Sequence, residues 1–238
     1  ANLPSVPSTG STGSNVLNPT LPVDLLGDGR WLSQHKRFRE KAVDREPDVI
    51  FIGDNIVQRM QFTSTWQDHI EPLHCLNFGI YEDRIENILY RIEDGELEDC
   101  SPKVVVLHAG NNNPELAADI AAGIRNLAEV VHRQLPGANV IVLGLLPVGE
   151  HKNPRRTKHA EVNRLLTEQL SQSGRTTVLI PDWDTFLQPD KSLSHRDMYD
   201  YCNLTDLGYS KLFEPLLELL QEELHSFPSV AAGDSDRE

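Results

Sequence analysis

The run Asp48-Val49-Ile50-Phe51-Ile52-Gly53-Asp54-Asn55 closes a short apolar stretch on Gly-Asp and passes at once into helix-compatible sequence. A residue at such a strand-to-helix turn faces backbone N–H groups that have no intrahelical partner. A serine there would be a nucleophile beside an oxyanion site. The residue present is Asn55, whose amide lone pair is delocalised and does not attack an acyl carbon near neutral pH. Two residues elsewhere have the chemistry to substitute: Cys202 as a nucleophile and His195 as a base. His108 ends an apolar run and reads as a hydrogen-bonded structural histidine. The carboxylates Asp54, Glu82, Asp83 and Asp200 read as solvated groups of an acidic chain, not as a metal cage, with Asp54 bracing its own turn. Gly110-Asn111-Asn112-Asn113 lacks the glycine pattern that cradles phosphates, so no nucleotide, metal or other cofactor is expected.

The elements that must position these residues follow a repeat of short apolar run, turn and helical stretch. Val49–Ile52, Leu73–Phe78, Val104–Leu107, Val140–Leu146 and Thr177–Ile180 are the strand candidates. Several are apolar at consecutive positions, the mark of strands buried on both faces in a parallel sheet. Asn55–Phe62, Arg84–Glu93, Pro114–Gln134 and Asn153–Gln172 are the intervening helices. Right-handed crossovers then give a doubly wound α/β sheet of about five strands with helices on both faces. Trp31, Leu32, Phe38 and Ala42 mark a short amphipathic helix leading through Pro47 into the first strand. A final packing helix runs from a Thr205 cap to about Leu224. Ligands of such sheets sit beyond the carboxyl ends of the strands. That places Asp54-Asn55, Gly79–Asp83, Gly110–Asn113, Pro147–His151, Asp182–Asp184 and the loop Asp197–Asn203 around one site.

Residues 1–29, rich in Ser, Thr, Pro, Gly and Asn, are expected to form a flexible arm or to drape over the domain at 30–225, and the small, acidic 226–238 a loose tail. A formal charge of −14 argues against nucleic acid or an anionic membrane surface as partner and leaves a basic protein surface open. Cys75, Cys100 and Cys202 have neither an even number nor metal-type spacing, so reduced thiols in a cytoplasmic protein are expected. No apolar run approaches the ~20 residues of a membrane span.

Gly53-Asp54, Asn77-Phe78-Gly79-Ile80, His108 to Asn113, Leu143-Gly144-Leu145-Leu146-Pro147 and Asp197-Met198-Tyr199-Asp200-Tyr201 stand in an order that resembles the SGNH/GDSL hydrolases. Within them the similarity is to the catalytic α subunits of intracellular type I platelet-activating-factor acetylhydrolase. The resemblance covers about Asp28 to Leu224. It implies a flavodoxin-like fold, a homodimer or a heterodimer with a related α subunit, and a serine esterase that removes a short acetyl group from a phospholipid. As partner it implies the WD-repeat lissencephaly protein, a dynein regulator.

Carried over residue by residue, the resemblance makes Asp200 the triad aspartate and Asn112 the oxyanion asparagine, with backbone donors at Asn55 and Glu82. The serine position is Asn55, the histidine position is Asn203, and Tyr81-Glu82 replaces an expected Gly-Gly. Asn203 can hydrogen-bond Asp200 but cannot take and return a proton. Glu82 puts a carboxylate where an oxyanion would develop. The expectation is a pseudoenzyme that dimerises and binds a partner. The alternatives are a weak or rewired short-acyl ester hydrolase using Cys202 or His195, and a lipid or acyl-ester binder using the old gorge.

Overall fold

The structure, a computed structural model, describes residues 15–171 and 174–227. Five strands, β1 (Val49–Gly53), β2 (Cys75–Gly79), β3 (Val104–His108), β4 (Asn139–Leu143) and β5 (Thr176–Leu179), form one sheet in the order β2-β1-β3-β4-β5. All four pairings are parallel. The six α-helices among the described residues are α1 (Arg30–Arg45), α2 (Asn55–Met60), α3 (Ile85–Arg91), α4 (Ala117–Gln134), α5 (Pro154–Leu170) and α6 (Asp206–His225). This is the doubly wound α/β architecture the apolar runs call for.

Two-sided burial explains why β1 is apolar at every position. Ile50 and Ile52 enter a core with α1, α3, α4 and α5, whereas Val49 and Phe51 enter a second core with α2 and α6. Because the chain leaves β1 toward β2 on one side and reaches β3 on the other, the strand order reverses at β1/β3. Such a switch point opens a crevice at the strand ends. Glycines end both β1 and β2 because α2 crosses there closely. A Cβ at Gly53 would strike the His108 carbonyl, and one at Gly79 the Gln58 backbone nitrogen.

Several boundaries differ from the sequence reading, each for a local reason. Leu73 belongs to a 3-10 turn, Glu71–Leu73, that stops at His74 with φ 55°, so β2 starts at Cys75. Residues 144–146 are buried like a strand but are not paired as one. The Asn163 side chain accepts from the Leu145 N–H at 2.7 Å and donates to its carbonyl at 2.8 Å, replacing the ladder. Helix α4 starts at Ala117, not Pro114, because the Lys158 ammonium holds the Asn113 and Glu115 carbonyls at 3.0 and 3.1 Å. In α1, Phe38 and Ala42 are buried and Phe38 stacks on Phe78 at 4.7 Å, but Leu32 faces solvent.

The expected end of α5 at Gln172 lies outside the described residues, as do 1–14 and 228–238 of the expected arm and tail. Within the arm, Val16 is fully buried. The Thr20 N–H donates to the Glu86 carbonyl at 3.0 Å, and Asn87 donates to the Thr20 carbonyl at 2.9 Å. No helix among the described residues is long and apolar enough to cross a membrane.

Candidate functional site

Asp54 caps α2, its Oδ1 accepting from the Ile56 N–H at 2.9 Å, which fixes the turn and sets Asn55 as the first helical residue. The carboxylate is fully buried, not solvated. Burial raises its pKa against the pull of His108, whose Nε2 lies 3.9 Å from Oδ1, and of the Ile56 N–H. From α6, which shares the second core with α2, the Tyr209 hydroxyl donates to the Ile56 carbonyl at 2.8 Å and braces the same turn.

The loop before α6 is a closed clasp. Met198 and Leu204 form an antiparallel bridge, the Thr205 N–H donates to the Asp197 carbonyl at 2.8 Å, and Lys211 pairs with Asp197 at 2.8 Å. Inside it, Asp200 accepts the N–H groups of Cys202 at 3.0 Å and Asn203 at 2.6 Å, and the Asn203 side-chain amide at 2.7 Å. Burial works against the carboxylate charge, yet these donors outweigh it and hold the Asp200 pKa below the ordinary range.

From Asp200 an unbroken chain of amides runs across the crevice. An ionised carboxylate only accepts, so Asn203 must turn its NH2 toward Asp200 and its oxygen the other way. That oxygen accepts from Asn55 Nδ2 at 2.8 Å. The Asn55 oxygen accepts in turn from Asn112 Nδ2 at 3.2 Å, and the same Asn112 nitrogen also reaches the Asp83 carbonyl at 3.0 Å. Asn55, Asp200, Asn203 and Asn112 are thus brought together. The loops after β1 and β3 and the loop before α6 meet at one point.

Glu82 lies across the mouth with φ 60°, a left-handed conformation that suits glycine. Its neighbour Tyr81 is half exposed. The Tyr81 hydroxyl is held neutral first by the Glu82 charge. Cys202 borders the cluster, half-buried, with Arg155 Nη1 3.9 Å from its sulfur. Burial raises the thiol pKa more than Arg155 lowers it, so the thiolate is disfavoured. His195 is exposed and outside the amide chain. His108 is fully buried, its Nδ1 donating to the Leu143 carbonyl at 3.0 Å while Nε2 has no hydrogen-bond partner among the described residues. No group of three or more His, Cys, Asp or Glu among the described residues could hold a metal ion.

Sequence reasoning missed the support beneath the site. Arg91, fully buried, donates to the Phe78 carbonyl at 2.9 Å and pairs with Asp83 at 3.1 Å and Glu96 at 2.9 Å. Trp31 Nε1 donates to Asp83 at 2.6 Å. His35 lies between Glu96 at 2.8 Å and Asp94 at 2.9 Å, so both ring nitrogens donate and the ring is an imidazolium. Burial opposes that charge, but the two carboxylates outweigh it and raise the His35 pKa. Burial pushes the Asp83 pKa up to about 7 against the pull of Arg91 and the indole, the cost of placing an ion pair in the core. Asp83 is therefore not the solvated carboxylate its sequence neighbours imply. Its only signal was a Trp31, His35 and Arg91 set spread over two helices, which no local pattern ties together.

With this geometry established, comparison with known proteins gives consistent relatives. Residues 51–211 match the GDSL-like Lipase/Acylhydrolase family. The chain is 43% identical over 211 residues to the human platelet-activating factor acetylhydrolase IB subunit alpha2, covering 88% of this chain and 92% of that protein. It is 44% identical over 203 residues to the human alpha1 subunit, covering 85% and 87%. Among solved structures, a GDSL-like lipase from Bacteroides thetaiotaomicron superposes with a TM-score of 0.60 at 18% identity, over 81% of this chain and 97% of that one. At that identity the likeness is one of fold.

Proposed function

Because the chain belongs to the GDSL-like lipase/acylhydrolase family and yet spans its crevice with amides, we propose that it is a catalytically inactive relative of the platelet-activating-factor acetylhydrolase α subunits. It acts as a dimeric binding partner of the WD-repeat lissencephaly protein in the cytoplasm, and through that protein in dynein regulation. The observation that carries this reading is the Asp200–Asn203–Asn55–Asn112 chain. Hydrolysis needs a group at position 55 that attacks carbon and one at 203 that accepts its proton. Both positions are filled by amides that are held in place and already committed to each other. The oxyanion side fares no better: Glu82 places a negative charge at its rim where negative charge would have to develop. A protonated, half-buried Cys202 supplies no replacement nucleophile.

What remains is a folded domain in a chain whose formal charge of −14 is complementary to a basic partner. Function then comes from occupancy, by competition at the partner's dynein-binding surface, and not from turnover. The test combines two measurements on the purified protein. With a short-chain activated ester and a serine-reactive phosphonate, neither turnover nor labelling is expected. Solution mass should correspond to two chains alone and to a larger assembly with the WD-repeat protein. Turnover that disappears on Cys202→Ser would establish a rewired esterase instead. A monomer that fails to shift the partner would remove the binding role.

A further inference from the structure

Beside the amide chain an open cleft of about 670 Å³ is walled by the loops after β2 and β3 and the first turns of α5. Its volume suits a small molecule. Its lining does not suit an acyl chain: Pro114 and Pro154 are the apolar contributions, and the rest are Glu82, Arg84, Asn111 to Asn113, Arg155 and Lys158. Three cations thus surround one concavity of a strongly acidic chain.

Their partners single out two of them. Arg84 has Glu86 at 3.9 Å. Arg155 donates to the Asn111 carbonyl at 2.8 Å and to its side-chain oxygen at 3.2 Å, and Lys158 only to carbonyls. Neither Arg155 nor Lys158 forms an ion pair with a carboxylate among the described residues. They also crowd each other: burial and then the Arg155 charge lower the Lys158 pKa. Independently, Asn111 is 6% exposed, and with its oxygen turned to Arg155 its Nδ2 is buried without an acceptor. An acceptor-rich group is what this wall lacks. The opposing charges are Glu82, which lines the cleft, and Glu115, which partly offsets the lowering of the Lys158 pKa.

We propose that this cleft binds a small, soluble phosphomonoester as a dianion, held by Arg155 and Lys158. Two cations without an ion-pair partner among the described residues suit the near-dianionic charge of a phosphomonoester at neutral pH. The planar guanidinium offers the paired donors that phosphate oxygens accept. The N-terminal end of α5 adds macrodipole potential at the same place, although Pro154 brings no N–H and Asn153 takes that of Arg156. Asn112, the last member of the amide chain, also lines the cleft, so a ligand held there lies directly beside that chain.

Titration calorimetry at constant ionic strength tests it, with inorganic phosphate, glycerol phosphate and acetate as probes. Saturable binding is expected for glycerol phosphate and for phosphate, with acetate at least about tenfold weaker. Lys158→Gln should weaken glycerol phosphate about tenfold, and Glu82→Gln, on the rim, should tighten it about threefold. The opposite signs keep the test informative if Arg155→Gln disturbs the Asn111 loop. Heat that never saturates, acetate equal to phosphate, or affinities unchanged in both variants overturns the assignment.

Discussion

Truncating the middle of the amide chain has a cost that the structure sets. In Asn203→Ala, Asn55 Nδ2 loses its acceptor at 2.8 Å. Asn55 is 5% exposed, so water replaces that acceptor poorly, and an unsatisfied buried donor costs about 1–3 kcal/mol. The other end loses less. Asp200 is solvent-exposed and keeps the backbone N–H groups of Cys202 and of residue 203 itself, so the lost 2.7 Å amide bond adds only about 0.5 kcal/mol. The sum is about 2.5 kcal/mol, or roughly 5–10 °C in the thermal midpoint of a domain this size. Asn203→His is the discriminating control. An imidazole can accept from Asn55 on one nitrogen and donate to Asp200 from the other, so its cost should stay below about 0.5 kcal/mol. Urea unfolding of the three proteins, with equal m-values, measures both differences. If alanine costs less than about 0.5 kcal/mol, or histidine as much as alanine, the amide chain is not what holds the loop to α2.

Three further outcomes follow from the same site. Asn55→Ser alone should leave ester turnover at background, because nucleophile and base act as a unit. Asn55→Ser with Asn203→His should raise it above either single variant in a short-chain ester assay. Glu82→Gly should stabilise by about 0.5–1 kcal/mol in thermal melts: relieving a left-handed φ of 60° gains about 1–2 kcal/mol and glycine's chain entropy takes back part. His159, fully buried with Nδ1 donating to the Leu146 carbonyl at 2.8 Å, has its pKa lowered to about 4 by burial. The folded state then binds fewer protons than the unfolded one between that pH and about 6.5, so stability is present above the window and lost on acidification through it, by up to about 3 kcal/mol. His159→Gln should flatten the pH dependence of urea midpoints across that range.

The architecture was legible because its signal is redundant along the chain. Each strand of a parallel sheet buried on both faces is an apolar run, and β1, β3 and β4 announce themselves by side chains entering two cores. Strand ends were less legible, because burial and pairing are different quantities. Leu145 and Leu146 are as buried as β4, and only the distant side chains of Asn163, on the Leu145 backbone, and His159, on the Leu146 carbonyl, show that their backbone is satisfied another way. The crevice residues could be placed because strand ends and the turn before α6 converge by topology. The Asp83–Arg91–Glu96–His35 network could not, since a charged residue in sequence looks the same whether water or another charge neutralises it. The cation set of the cleft was hidden for the same reason. Arg155 and Lys158 look like a solvated helix face until the loop after β3 is seen folded against them.

The kind of side chain that stands at positions 55 and 203 matters as much as the absence of a serine and a histidine there. Apolar residues at 55 and 203 would leave Asp200 and Asn112 facing a gap, and the loop 197–204 would lose its polar tie to α2. Asparagine offers one donor face and one acceptor face. A row of them therefore transmits the polarity set by Asp200 from one residue to the next, across the line along which a hydroxyl and an imidazole would relay a proton. The same row cannot relay that proton, because an amide surrenders one only through a high-energy tautomer and holds its lone pair in resonance. Asn55 and Asn203 thus tie the loop before α6 to the start of α2, and in the proposed reading they do so without supplying a nucleophile or a base. Under the proposed binding role, a partner would recognise the shape so fixed without any need for turnover.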